Sequence, residues 1–206
     1  MKTTLLLAAF AAALTGCTGI QTAVRARAGH AFGSGVRTYA LASDAAIPAA
    51  PGDEDARYAA AVEHRLAALG FMAAPELGAR YRVVLSHETR PASVGVGYSR
   101  CADGFPCGAP VLPPGFEWPG RAYVHSLTLR FFDRADGREA YKVSVTKRDR
   151  DPGAVRDIDA LVASALAQLP FGAEGAHPGQ TDWKVTLRQA ATDAAPSVAR
   201  VAPLEP

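Results

Sequence analysis

RAYVHSLTLRFFDRADGREAYKVSVT, residues 121–146, is the stretch on which the fold turns. In its first half Tyr123, His125, Leu127, Leu129 and Phe131 alternate with smaller or polar residues, the period of two that an extended strand imposes. The second half, AYKVSVT at 140–146, repeats the alternation, and Asp136-Gly137 between them supplies a turn that tolerates positive φ. The stretch therefore reads as a β-hairpin. One of its faces is apolar and must be covered by another layer.

The cover is legible on both sides. DEDARYAAAVEHRLAAL (53–69) places Tyr58, Val62, Leu66 and Leu69 at helical spacing, with acidic residues at its start and Gly70 just past its end. Downstream, Asp151-Pro152-Gly153 opens a second helix running to about Leu169, with Ile158, Leu161, Val162, Ala165, Leu166 and Leu169 on one stripe. VRTYAL (36–41) and YRVVLSHET (81–89) read as further strands, and Trp183, Val185 and Leu187 suggest a short last one. Hairpins give antiparallel pairs, and a strand-helix-strand unit gives a parallel or split pair. The expected fold class is α+β: a two-layer sandwich with a mixed, mainly antiparallel sheet, two helices on one face, and the other face partly open. This single domain spans 35–188. The alanine- and proline-rich tail, 189–206, has little to bury and is expected to be disordered.

Residues 91–120 differ in kind. They hold Cys101, Cys107, six prolines and many glycines, so neither helix nor strand is expected to run through them. Tyr98, Phe105, Phe116 and Trp118 also lie there. Two roles are open to these aromatics: anchors for a protein partner, on a loop that loses little entropy on binding, or a cover folded over the open sheet face.

The N-terminus sets the compartment. Lys2 precedes an apolar run from Leu5 to Leu14, about half the roughly 20 residues that a spanning helix needs. It reads as a secretory signal peptide, 1–16. Leu14-Thr15-Gly16-Cys17 resembles the lipobox of bacterial lipoproteins, which implies lipidation of Cys17 and cleavage just before it. Lipoproteins kept in the inner membrane usually carry Asp after the lipidated cysteine. Thr18 here therefore implies an outer-membrane anchor facing the periplasm. Residues 17–34 would be a flexible tether or, from the alternation in TAVRARA, an edge strand. With Cys17 given to lipid, Cys101 and Cys107 remain as an even pair. In an oxidising compartment a local disulfide is favoured over a free pair or a metal site.

No catalytic constellation emerges. His64 follows Glu63 on the first helix with no histidine four residues away, so HExxH geometry is missing. Ser86-His87-Glu88 and His125-Ser126 juxtapose triad residue types, but strand neighbours point to opposite faces, and no GxSxG elbow is present. VGVGY (94–98) has a single GxG without strand-to-helix context. No metal or cofactor is expected. With 22 basic and 20 acidic residues the chain has a net charge of only +2, which argues against nucleic acid as a partner.

The lipobox, VRTYAL, the helix ending LAALGF, TLRFFDRADGREAYKV and the helix ending LVASALAQLPF together resemble the DUF4136 lipoproteins of Gram-negative bacteria. The resemblance covers about Val36 to Phe171. Where many members have tryptophan in the strand after the hairpin this chain has Tyr141, and the cysteine-bearing loop is particular to it. The family has no assigned activity, so the resemblance implies an address and a fold. The functional expectation is a non-enzymatic, lipid-anchored module that binds an envelope protein through the 91–120 loop. A carrier or sensor of a lipid or other hydrophobic ligand is the alternative, and an envelope hydrolase a distant third.

Overall fold

The structure, a computed structural model, describes residues 19–29, 32–43, 52–92, 122–172, 181–189 and 195–204. Cys17, Tyr98, Cys101, Phe105, Cys107, Phe116 and Trp118 lie outside the described residues.

In chain order the elements are β1 (Ile20–Ala28), β2 (Thr38–Ser43), α1 (Asp53–Ala68), β3 (Met72–Ala73), β4 (Tyr81–Pro91), β5 (Tyr123–Asp133), β6 (Glu139–Asp149), α2 (Ile158–Ala165), β7 (Asp182–Arg188) and β8 (Ser197–Pro203). Short 3-10 turns precede β4 and α2. All eight strands form one sheet in the order β3-β2-β4-β5-β6-β1-β7-β8. Among the described strands only β2 pairs in parallel, with β3 and with β4. The mixed, mainly antiparallel sheet with two helices is the α+β sandwich expected from the sequence.

The hairpin is its centre. β5 and β6 pair Leu127 with Val145, Leu129 with Val143 and Phe131 with Tyr141, and Gly137 in the turn takes φ 70°. These six side chains are all at most 1% exposed. Burying each contributes roughly 1.5–3 kcal/mol. A bulge between Phe131 and Phe132 leaves Ala140 unpaired and swings Glu139 to the opposite face.

The helices close that apolar face. Tyr58, Val62 and Leu66 of α1 are buried, as is nearly all of α2. Phe32, from the β1–β2 connection, plugs the layer: its ring stacks on Tyr141 at 4.5 Å and meets Phe131 at 5.2 Å and Tyr81 at 5.4 Å. Tyr141 belongs to this core and accepts a hydrogen bond at its Oη from the Phe171 N–H at 3.3 Å.

Three expectations need correction. TAVRARA is a strand, but not an edge or a tether: β1 lies inside the sheet between β6 and β7, because Thr22, Val24 and Ala26 continue the buried face. Residues 189–206 are not a disordered tail throughout, since Ser197–Pro203 forms β8 on the β7 edge, with Val198 and Val201 packed against the core. The second helix stops at Ala165 rather than Leu169; Pro170 disfavours helical geometry at the residue before it.

Candidate functional site

Among the described residues both helices lie on one side of the sheet and no element covers the other face. The ladder registers place every second side chain there. On β4 these include Arg82 and Arg90; on β5, Arg130; on β6, Lys142 and Arg148. On β1 they are Arg25 and Arg27; on β7, Lys184 and Arg188; on β8, Arg200. Against these ten basic residues stand, among the described residues, three acidic ones, Glu88, Glu139 and Asp182. A chain of 22 basic and 20 acidic residues is thus strongly polarised. Acidic residues crowd the opposite side, where Asp53, Glu54 and Asp55 open α1 and Asp157 and Asp159 flank the start of α2.

A groove of about 640 Å³ runs along this open face, lined by Ala23, Arg25, Arg27, Glu139, Lys142, Ser144, Thr146 and Asp182 with the edge of Val24. The register explains its chemistry. Arg130, Lys142 and Arg27 stand side by side across three adjacent strands, and Thr128, Ser144 and Arg25 form the next row. Strands about 4.8 Å apart hold these cations well within the roughly 8 Å screening length of physiological salt. Two of the cations are paired: Arg25 with Asp182 at 2.7 Å and Arg130 with Glu139 at 2.6 Å. The hydrogen bond from Arg25 holds the Asp182 carboxyl below its ordinary range, and Arg27 nearby adds to the shift. Arg27, Lys142 and Lys184 have no ion-pair partner among the described residues, so this is a surface suited to phosphate or carboxylate groups.

A second polar cluster lies between the layers. His125 is wholly buried. Its Nε2 donates to the Asp151 carbonyl at 2.9 Å, and its Nδ1 shares a hydrogen bond with the Thr89 hydroxyl, also at 2.9 Å. Lys147 donates to Asp149 at 2.6 Å and to Asp157. Burial opposes the charge on Lys147, but its hydrogen bonds to the two carboxylates outweigh it and raise the ammonium pKa. The hydrogen bond from Lys147 lowers Asp149 to about 2. These contacts tie the 3-10 turn and the start of α2 to β5 and β6.

His87 plays a similar part at α1. It lies 4.2 Å from the Tyr58 ring in a stacked arrangement and bonds Asp55 at 2.7 Å, and that bond lowers the Asp55 pKa. The serines that sequence placed beside these histidines do not join them. Ser86 and Ser126 point to the open face, the latter donating to the Glu88 carbonyl at 3.2 Å, while His87 and His125 point to the helices. Among the described residues no three His, Cys, Asp or Glu side chains converge on one point, and no helix is long and apolar enough to cross a membrane.

The basic face was missed by the sequence reading, although its signal is present. VRARA, TLRFF, AYKVS and DWKVTLR each put Arg or Lys at the polar positions of an alternating strand. The acidic residues on the helix side cancel these cations in the sum.

No family model matches the chain, and no curated protein does. Solved structures are similar at low identity. A PelC dodecamer from Paraburkholderia phytofirmans is 18% identical over 72% of this chain and 97% of its own, with a TM-score of 0.43; a second crystal form of PelC gives 19%, the same coverage and 0.42. A PDZ domain protein from Parabacteroides distasonis is 14% identical over 89% of this chain and 43% of its own, with a TM-score of 0.48.

Proposed function

We propose that this chain is a lipid-anchored, non-enzymatic protein of the Gram-negative cell envelope that resembles the DUF4136 lipoproteins and binds a protein partner through its β4–β5 loop. The anchor is Cys17, in the outer membrane facing the periplasm. The observation that carries the partner reading is the mounting of the loop. The Ala92 N–H bonds the Ala122 carbonyl at 2.7 Å at the end of an eleven-pair β4–β5 ladder, so the two residues that flank the loop stand side by side. A segment of that length carrying Tyr98, Phe105, Phe116 and Trp118, with Cys101 and Cys107 as its disulfide, has the composition of a binding loop on a rigid scaffold. A carrier of hydrophobic ligands is less favoured, since the described apolar face is filled by its own helices and by Phe32.

The test is photo-crosslinking in living cells of the source bacterium with a photoreactive amino acid at Tyr98 or Phe105, with and without Phe116→Ala/Trp118→Ala. A discrete crosslinked protein, lost in the double variant, is the expected result. A background pattern at both positions would remove the partner reading. The anchor is tested separately: Cys17→Ser should abolish incorporation of labelled palmitate.

A further inference from the structure

We infer that the open sheet face is a docking surface for a bilayer bearing anionic phosphate headgroups, laid flat against the membrane to which the chain is tethered. Among the described residues ten cations against three carboxylates stand on a face that neither helix covers, and Arg27, Lys142 and Lys184 have no ion-pair partner. Cations at the spacing of strands and alternate residues form an extended lattice, which matches many headgroup charges spread over a plane better than one compact ligand.

The choice of a membrane over an acidic protein rests on the lipid-anchor reading of Cys17. Cys17 lies two residues before Gly19, where the described chain begins, and β1 starts at Ile20. Two extended residues span at most about 7 Å. Because β1 lies inside the sheet rather than at its edge, such an anchor would pin the sheet close to the headgroups. Of its two faces the described helices cover one, which leaves the basic face to lie on the bilayer. An upright sheet would instead lift the Arg27 end of β1 some 25 Å away, since each strand residue rises about 3.3 Å.

Each Lys or Arg near an anionic surface strengthens binding roughly fivefold, so losing three should weaken it about a hundredfold. The experiment uses the unlipidated chain from Thr18 to Pro206, which contains every described strand, both helices and the whole buried core. Binding is measured by co-sedimentation with vesicles of pure phosphatidylcholine and of phosphatidylcholine with about a third phosphatidylglycerol. The expected result is binding to the anionic vesicles alone, falling with added salt. The triple variant Arg27→Gln/Lys142→Gln/Lys184→Gln should lose it about a hundredfold with an unchanged circular dichroism spectrum. A control triple off the face, Arg57→Gln/Arg134→Gln/Arg138→Gln, should keep most of it. Equal loss in both triples, binding to neutral vesicles, or no binding to either would overturn the proposal; the last would leave an acidic protein as the occupant. Because no lipid anchor is present, failure here does not touch the Cys17 reading, which the palmitate experiment decides.

Discussion

Lys147→Met should be one of the costliest single changes in the protein. Lys147 is 13% exposed and holds two carboxylates, Asp157 at 7% and Asp149 at 32%. Asp157 depends on it: its other oxygen, Oδ2, has no hydrogen-bond partner among the described residues and sits 3.6 Å from His125 Nε2. Methionine keeps most of the aliphatic stem, so the cavity cost is small and the loss measures a stranded charge. Removing one member of a buried pair costs about 3–5 kcal/mol, a large share of the roughly 5–15 kcal/mol that holds a domain folded. Asp149 can rehydrate and should add little. In urea unfolding at pH 7, followed by far-ultraviolet circular dichroism, a slope of about 2 kcal/mol per molar turns this into a midpoint drop of about 2 M. Adding Asp157→Asn removes the stranded charge and should recover more than half of the loss. A single variant costing under about 1 kcal/mol, or a double variant no better than the single, would refute the buried-pair argument.

Three other outcomes are expected. Asp149 titrates at about 2 in the folded chain against an ordinary value of 3.8, so its stabilisation is present above 3.8 and disappears as pH falls towards 2; discounted for its exposure, it amounts to about 1 kcal/mol. In Asp149→Asn that part of the acid-induced loss should be missing from urea midpoints measured between pH 4 and 2. Phe32→Ala should cost about 3–5 kcal/mol in the same assay, because the ring fills a site walled by Tyr141, Phe131 and Tyr81. Amide hydrogen exchange over 197–203 should be slowed by the β7–β8 ladder; exchange at the rate of a free peptide would show that β8 does not form in solution.

The parts of the fold legible in the sequence are those in which one short window carries the whole signal. The hairpin declares itself through alternation and Asp136-Gly137, and α1 through Tyr58, Val62 and Leu66 with Gly70, φ 79°, beyond its end. Position in the sheet is a different kind of information. TAVRARA alternates like any strand, and nothing local says that β6 and β7 flank it. SVARVAP looks like tail because a bulge breaks its alternation between Val198 and Val201, and because its pairing with β7 supplies what composition does not. The basic face was hidden for a related reason: net charge sums over both sides of the molecule, whereas the charge of a face depends on one.

The basic face also carries a cost that folding alone does not explain. Arg130, Lys142 and Arg27 stand directly opposite one another on neighbouring strands, and like charges so placed destabilise a sheet. Glu139 relieves Arg130 by pairing with it, while Lys142 in the middle of the row is left without an ion-pair partner among the described residues. A threonine there would have higher strand propensity and would continue the column of Ser144 and Thr146 on the same strand and face. Lys142→Thr should therefore stabilise the free protein by about 0.5 kcal/mol while weakening its binding to anionic vesicles about fivefold. Opposite signs in the two assays are what a surface kept for a ligand predicts, because the anion removes in the complex the repulsion that the free protein bears. If Lys142→Thr lowered stability as well, the row would be holding the sheet together through contacts of the lysine stem, and the charge would have a structural explanation.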